Sequence, residues 1–421
     1  MADEGWSEVL LADVIEIKHG FAFPGEHIRD EPPGDILLTP GNFAIGGGFK
    51  GDKFKYFDGP TPEEYVLDEG DLIITMTDLS KQGDTLGYPA LVPTPKQARF
   101  LHNQRLGKVT IRANADVDKR FLSYLLRTPK YRHEILASAT GSTVKHTSPS
   151  RILAYKTSIP PRPQQRAISH ILGTLDDKIE LNGRMNETLE AMARALFKSW
   201  FVDFDPARAK SESRDPSLPK EITDLFPNSF EESELGEIPK GWKIGPLEET
   251  LLLQRGFDLP SRTRTPGKYP VLAASGPSGT HCDFMVRGPG VTTGRSGVLG
   301  NVFYVHDDFW PLNTSLWVKE FRRSTPAYAY YLLQRIDFGV FNAGSAVPTL
   351  NRNHVHNLPV IFPPMELIAA FDRIAVANLK CQKHNDDQTL TLAALRDVLL
   401  PKLISGEIRV KDAERLVGKV A

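Results

Sequence analysis

The chain has 421 residues, enough for about two to four domains that each bury a core. A formal net charge of −1 excludes a polybasic protein that coats nucleic acid by charge alone. Two cysteines, Cys282 and Cys381, an acidic start at Met1-Ala2-Asp3-Glu4 and no apolar run near the roughly 20 residues of a membrane helix together predict a cytoplasmic protein without disulfide scaffolding.

In chain order, Trp6 leads to Gly20-Phe21 and Pro24, which open a first region of short strands and loops. Ile36-Leu37-Leu38-Thr39, Asp71-Leu72-Ile73-Ile74-Thr75 and Lys108-Val109-Thr110-Ile111 are expected strands, and 119–126 a short amphipathic helix. Residues 1–150 carry 17 Lys plus Arg against 21 Asp plus Glu, an acidic balance that weakens any case for phosphate attraction unless a partner supplies it. The region closes on Ala139-Thr140-Gly141-Ser142-Thr143-Val144 and then Ile159-Pro160-Pro161, which sets a first domain at 1–162.

A long helix is expected over 163–204, because Pro163 suits a helix start. Ile168, Leu172, Leu175, Ile179, Asn182, Asn186, Leu189, Ala193, Leu196 and Trp200 then alternate steps of four and three. That is a heptad seam, and its two Asn layers fix register and partner at some cost in stability. About 40 residues at roughly 1.5 Å each would make a rod of about 60 Å. A lone amphipathic helix packed on its own core is the competing reading.

Residues 205–240 contain Pro206, Pro216, Pro219, Pro227 and Pro239, which preclude one continuous helix, so a linker lying over the surface is expected. A second mixed region follows at 241–364. Its expected strands are Tyr269-Pro270-Val271-Leu272, Asn301-Val302-Phe303-Tyr304-Val305 and Ser315-Leu316-Trp317-Val318, with a short helix at 327–333. Between 241 and 360 there are 12 Lys plus Arg, nine of them Arg, against 8 Asp plus Glu, a bias that suits base or phosphate contact. A second long helix is expected over 365–405, with Asn385, Leu392 and Leu399 on its seam, and a C-terminal tail over 406–421.

The two halves repeat. Asn342-Ala343-Gly344-Ser345-Ala346-Val347, then Phe362-Pro363-Pro364, match the first copy at an offset of 203 residues, while Trp242, Gly256-Phe257 and Pro260 match its opening at an offset of 236. Asn385 and Thr389 stand where Asn182 and Asn186 stand in the first helix. A period this long means duplicated domains, not a solenoid, and the change of offset means that the interiors differ in length. The expected architecture is α+β: two mixed domains separated by two long antiparallel coiled-coil helices, with an internal pseudo-two-fold repeat.

With Leu235-Gly236-Glu237-Ile238-Pro239-Lys240-Gly241-Trp242 opening the second half and Leu400-Pro401-Lys402-Leu403-Ile404-Ser405-Gly406-Glu407-Ile408 closing it, the frame resembles the specificity subunit of a type I restriction-modification system over nearly the whole chain. The resemblance implies two target recognition domains, each reading half of a bipartite site on double-stranded DNA. It implies that the helices space the readers and dock methyltransferase subunits, two in number, to which an endonuclease or translocase subunit is added in some systems. It implies that this chain binds no cofactor, while S-adenosylmethionine, ATP and Mg belong to the partner subunits. A rigid spacer would make half-site separation a geometric property of the protein.

Candidate DNA contacts in the second domain are Thr293, Arg295 and Ser296 of a Gly-rich loop, with Arg295 able to pair a guanine edge, although a plain hairpin is the competing reading. Arg255, Arg262 and Arg264, against a reading as solvated charges, and Arg352, Asn353 and His354 complete that set. In the first domain the matching loop lacks the Arg, which leaves Thr75, Thr77, Lys81 and Gln82, together with Lys145 and His146. Ile168, Leu172, Leu175, Ile179, Asn182, Asn186, Leu189, Leu196, Asn385, Leu392 and Leu399 are the candidates for helix pairing and partner docking.

Enzymatic signatures fail one by one. The three Pro-Pro pairs are followed by Gly34, Arg162 and Met365, not by the aromatic residue of an amino-methyltransferase motif, and there is no Walker loop. His354 and His356, two apart on an expected strand, lack further ligands for a metal. A non-catalytic reader is therefore expected; the rivals are a coiled-coil scaffold joining two protein- or carbohydrate-binding modules, and a nuclease with an unrecognised site.

Overall fold

In the computed structural model, the described residues are 5–95, 98–342 and 347–418. They fall into two units, Met1–Glu180 with Gln388–Ala421, and Leu181–Asp387. Four helices and eight strands place the candidate sites. The helices are α1 (Lys119–Leu125), α2 (Arg162–Phe201), α3 (Pro326–Gln334) and α4 (Met365–Ile404). In the first unit the strands are β1 (Ile15–His19), β2 (Leu72–Thr75), β3 (Pro89–Leu91) and β4 (Leu106–Ile111); in the second, β5 (Leu251–Arg255), β6 (Gly290–Gly294), β7 (Val302–Val305) and β8 (Ser315–Phe321).

The first unit is layered around an antiparallel sheet of order β1-β4-β2-β3. Leu72, Ile73 and Ile74 are all buried because the sheet is covered on both faces, which explains an apolar run without polar alternation. Leu72, Ile74 and Val109 face a core with Phe121 and Leu122 of α1, Leu172 of α2 and Leu392 of α4. Ile73, Ala90 and Leu106 face a second sheet through Leu38, Phe43, Leu67 and Phe100.

The second unit has the same design. Its sheet order is β5-β8-β6-β7, again antiparallel, and a second layer pairs Val271-Leu272 in parallel with Trp310-Pro311, as Ile36-Leu37-Leu38 pair with Phe100-Leu101-His102 in the first. The repeated glycines have one physical cause. A Cβ on Gly20 would stand 2.1 Å from Asn103 O, and one on Gly256 2.3 Å from Leu312 O, where Phe21 and Phe257 bridge to those same residues. Gly141, with φ of 93°, has Val144 O at 1.9 Å from the position of a Cβ. Its counterpart loop, at Ala343-Gly344-Ser345-Ala346, lies outside the described residues.

Each long helix spans 40 residues. In the first unit Ile168, Leu172 and Leu175 of α2 pack with Leu392, Leu399 and Leu403 of α4. In the second, Ala193, Phe197 and Trp200 pack with Leu367, Phe371 and Ala375, so the helices run antiparallel. The polar layer joins the repeat counterparts: Asn182 Nδ2 donates to Asn385 O at 3.3 Å, and Asn385 Nδ2 to Asn186 Oδ1 at 2.8 Å. α2 stops at Phe201, short of 204, and the chain turns at Phe204 with φ of 58°.

Two expectations about connecting segments are overturned. Residues 205–240 are not a surface linker: they form the helices Asp205–Ser211 and Lys220–Thr223 and a hairpin, Phe230–Ser233 with Gly236–Pro239. Ala207, Phe226 and Ile238 enter the core around Trp200 and Trp242, while Pro206 and Pro219 sit at helix starts and Pro239 ends a strand of the hairpin. Residues 406–421 are not a plain tail, since a helix, Val410–Val417, buries Ala413 and Val417.

Candidate nucleic-acid interface

Three predicted contacts of the second unit converge. Arg255 ends β5, Arg295 follows β6, and Arg352 opens a short helix, Arg352–His356; together with Leu316, Leu350 and Asn351 they line a pocket of about 440 Å³. Arg295 is fixed by its backbone, whose N–H donates to Thr314 O at 2.9 Å and whose carbonyl accepts from Leu350 N at 2.8 Å. Its Nη1 donates to Asn313 O at 3.1 Å. Ser296 bridges to Thr349, and its N–H donates to Thr314 O at 3.0 Å, so the Gly-rich segment is both a hairpin and a wall of the pocket.

Other predicted contacts are not at that pocket. Thr293 is buried within β6, where no duplex reaches it. Arg264 braces its own loop, Nη1 donating to Ser278 O at 2.6 Å and Nε to Leu259 O at 3.3 Å, whereas Arg262 is exposed. Asn353 and His354 are exposed on the short helix, not on a strand. His356 on the same helix is buried, with Nε2 accepting from Leu253 N at 2.9 Å, and burial pushes its pKa down. That is a structural histidine, and the strand-borne metal pair is excluded by the helix.

In the first unit the same hydrogen-bond pattern surrounds Met76: its N–H donates to Arg105 O at 2.9 Å, and its carbonyl accepts from Thr147 N at 3.0 Å. Met76, not Lys81 or Gln82, is thus the counterpart of Arg295, and it is buried. Thr77-Asp78 pair with Lys145-His146, and Thr77 Oγ1 lies 3.2 Å from His146 Nδ1. Thr75 is wholly buried, its hydroxyl donating to Thr85 O, which removes it from any contact surface.

Asp78 shapes the adjoining loop. Its carboxylate accepts from Ser80 N at 2.6 Å, from Thr85 Oγ1 at 2.7 Å and from Thr85 N. Burial pushes its pKa up, but these hydrogen bonds outweigh burial and hold it below the ordinary value. Arg132 braces the far side of the loop by donating to the carbonyls of Gly83 and Leu86. Lys81 and Gln82 are exposed on this loop. A groove of about 520 Å³ beside it is lined by Phe43, Ile45, Lys50, Leu79 and Asp84 among others.

Sequence reasoning missed Arg105, which is exposed beside Met76. Its counterpart by hydrogen bonding is Thr314, but the intervening inserts shift the offset to 209, so neither repeat register aligns the two. The seam residues Ile168, Leu172, Leu175, Asn182, Asn385, Leu392 and Leu399 are buried, and Ile179, Asn186, Leu189 and Leu196 partly so. The buried ones bind helix to helix. The exposed large apolar residues are instead Leu181, Met185 and Met192 of α2 and Met365, Ile374, Leu390 and Val398 of α4.

Residues 3–191 match the family model described as the type I restriction modification DNA specificity domain. Over 441 aligned positions the chain is 24% identical to the type I restriction enzyme MjaIX specificity subunit of Methanocaldococcus jannaschii, covering 97% of this chain and 94% of that protein. It is 26% identical over 406 positions to the HindI specificity subunit of Haemophilus influenzae, covering 78% and 87% respectively. The match to that family model covers a little under half of the chain, and along most of its length the chain is similar to type I specificity subunits. The fold of the chain is similar to that of the crystal structure of the type I restriction-modification system S subunit from M. genitalium, with a TM-score of 0.60 at 17% identity over 95% of this chain and 96% of that one. Among the described residues no helix is long and apolar enough to cross a membrane, and no group of three or more His, Cys, Asp or Glu side chains is placed to hold a metal ion.

Proposed function

We propose that this chain is the non-catalytic DNA-reading subunit of a cytoplasmic type I restriction-modification complex. The observation that carries the reading is the duplicated frame: two units with one sheet order, crossed at Gly20 and Gly256, that present different side chains from the same places. Two readers on a common frame suit a bipartite site. Residues 1–162 and 241–364 act as the recognition domains, and the helices predicted at 163–204 and 365–405 as spacers. Each domain reads one half-site of double-stranded DNA. The second does so through Arg255, Arg295, Ser296, Arg352, Asn353 and His354, and the first through Lys81, Gln82, Lys145, His146 and Arg105, with Thr77 buried beneath them.

Methyltransferase subunits dock on the exposed helix faces and carry S-adenosylmethionine; endonuclease subunits, where the system has them, carry ATP and Mg. Methylome sequencing of cells with the cognate methyltransferase, with and without this chain, tests the reading. A split motif with a fixed gap, modified only when the chain is present, is expected. The absence of any chain-dependent motif while the methyltransferase is active on a control site would return the scaffold reading.

A further inference from the structure

The pocket of the second unit gathers positive charge that the duplicated frame does not require. Arg255, Arg295 and Arg352 reach it from three separate segments. Guanidinium groups around one opening repel one another unless an acceptor-rich group stands among them. Among the described residues no carboxylate pairs with Arg295 or Arg352, and Arg255 reaches only Asp258, at 3.9 Å. Asp258 is itself engaged by Asn313 Nδ2. At the repeat positions of Arg255 and Arg352 the first unit has His19 and Pro149, and by hydrogen bonding Met76 stands where Arg295 stands, with the same sheet order around them. The three arginines are therefore not part of what the two units share.

The three are not alike. Arg295 is half-buried and held at its backbone on both sides, with Nη1 tethered to Asn313 O at 3.1 Å. A braced planar fork keeps most of its five donors and loses little rotamer freedom on binding. That suits two acceptors fixed on one edge, as O6 and N7 of guanine are in the major groove. Arg255 and Arg352 are exposed, Arg255 with only the long pair to Asp258, which suits phosphates.

We infer that the half-site taken by the second unit contains a guanine read at O6 and N7 by Arg295, with Arg255 and Arg352 on phosphates, and that the first unit reads no guanine from the corresponding place, where Met76 stands. The inference rests on the DNA-reading function proposed above. Its test begins with the split motif given by methylome sequencing and uses the purified complex of this chain with its methyltransferase. The complex is titrated by fluorescence anisotropy with duplexes of that motif in which each guanine in turn is replaced by 7-deazaguanine, which lacks the N7 acceptor and still pairs.

One replacement is expected to weaken the wild-type complex at least about fivefold and to leave the Arg295→Gln complex unchanged. In cells, Arg295→Gln should accept other bases at that position and keep the other half of the motif. Arg255→Gln and Arg352→Gln should weaken all duplexes alike and lower the salt slope by about 1 each. If no 7-deazaguanine position weakens the wild type, or if the sensitive position persists in Arg295→Gln, the inference falls and DNA reading stands. If no motif depends on the chain, both fall.

Discussion

The two units are anchored to the same helices by different chemistry. In the first, Asp176 of α2 accepts from Arg396 Nη1 of α4 at 2.8 Å, from Arg127 Nη1 at 3.1 Å and from the Tyr124 hydroxyl at 2.8 Å, and burial together with that carboxylate pushes the Tyr124 pKa up. In the second, Glu190 of α2 accepts from the hydroxyls of Tyr331 at 3.2 Å and Tyr330 at 3.4 Å, beside an aromatic cluster in which the Phe371 ring lies 5.5 to 5.7 Å from Phe201, Phe197 and Tyr331. One unit relies on an ionic network and the other on packed rings. Duplication has kept the places where side chains meet and has let their chemistry drift.

That contrast is sharpest at Phe371. Phe371→Ala is expected to cost about 3–5 kcal/mol, because the rings around it collapse poorly onto the void. Urea unfolding followed by the fluorescence of Trp200 and Trp242 measures it, and a loss under about 1 kcal/mol would mean that the aromatic cluster does not hold the second unit.

Acid should separate the units next. His102 is buried, with Nε2 3.0 Å from Leu106 O, and burial pushes its pKa from 6.5 down to about 4; by the bridges Phe21–Asn103 and Phe257–Leu312 its counterpart is Pro311. The unfolded chain takes a proton near pH 6.5 that the folded histidine refuses, so this contribution is fully favourable above the unfolded value and is lost as pH falls toward 4. The loss amounts to about 3 kcal/mol once pH is below the folded value. His102→Leu should flatten the dependence of stability on pH in that window. An unchanged slope would place the acid response elsewhere, for example at His306 and His356 of the second unit, which burial also shifts down.

A smaller effect is expected at the ionic anchor. Asp176→Asn should destabilise by about 2 kcal/mol, since Arg127, whose side chain is 10% exposed, is left without its carboxylate. Adding Arg396→Met should recover part of that loss, because the pair is then removed together. Full additivity of the two changes in a double-mutant cycle would show that Arg396 and Asp176 are not coupled.

Much of the frame was legible because its signals are local and periodic. Leu172, Leu175 and Trp200 mark the seam by spacing alone, and Asn182 and Asn385 meet as their repeat positions imply. The 205–240 segment misled because proline count says nothing of which apolar side chains find a core: Phe226 and Ile238 are buried by tertiary packing that no local rule encodes. The candidate contact residues were the least legible. Thr293 resembles an exposed loop threonine in sequence, and Thr75 the exposed end of an expected strand, but both are strand residues of fully covered sheets, and Arg105 comes close to Met76 only through a strand pairing across 29 residues. Convergence of Arg255, Arg295 and Arg352 likewise depends on three chain crossings that spacing does not specify.

The least costly exchange between the units lies at their short helices. Asp118 caps α1 and its Oδ1 accepts from Ser169 Oγ of α2 at 3.4 Å; in the second unit Thr325 caps α3 and its Oγ1 donates to Asp372 Oδ1 of α4 at 2.7 Å. Ser169 and Asp372 are repeat counterparts, so carboxylate and hydroxyl have changed places across one contact. Thr325→Asp alone sets two carboxylates against each other where burial already pushes the Asp372 pKa up, and Asp372→Ser alone removes the acceptor; each is expected to cost about 1 kcal/mol. The double variant installs the arrangement of the first unit and should return most of that loss in thermal unfolding. If the losses simply add, the two contacts are not interchangeable, and the duplicated frame constrains residue chemistry as well as position.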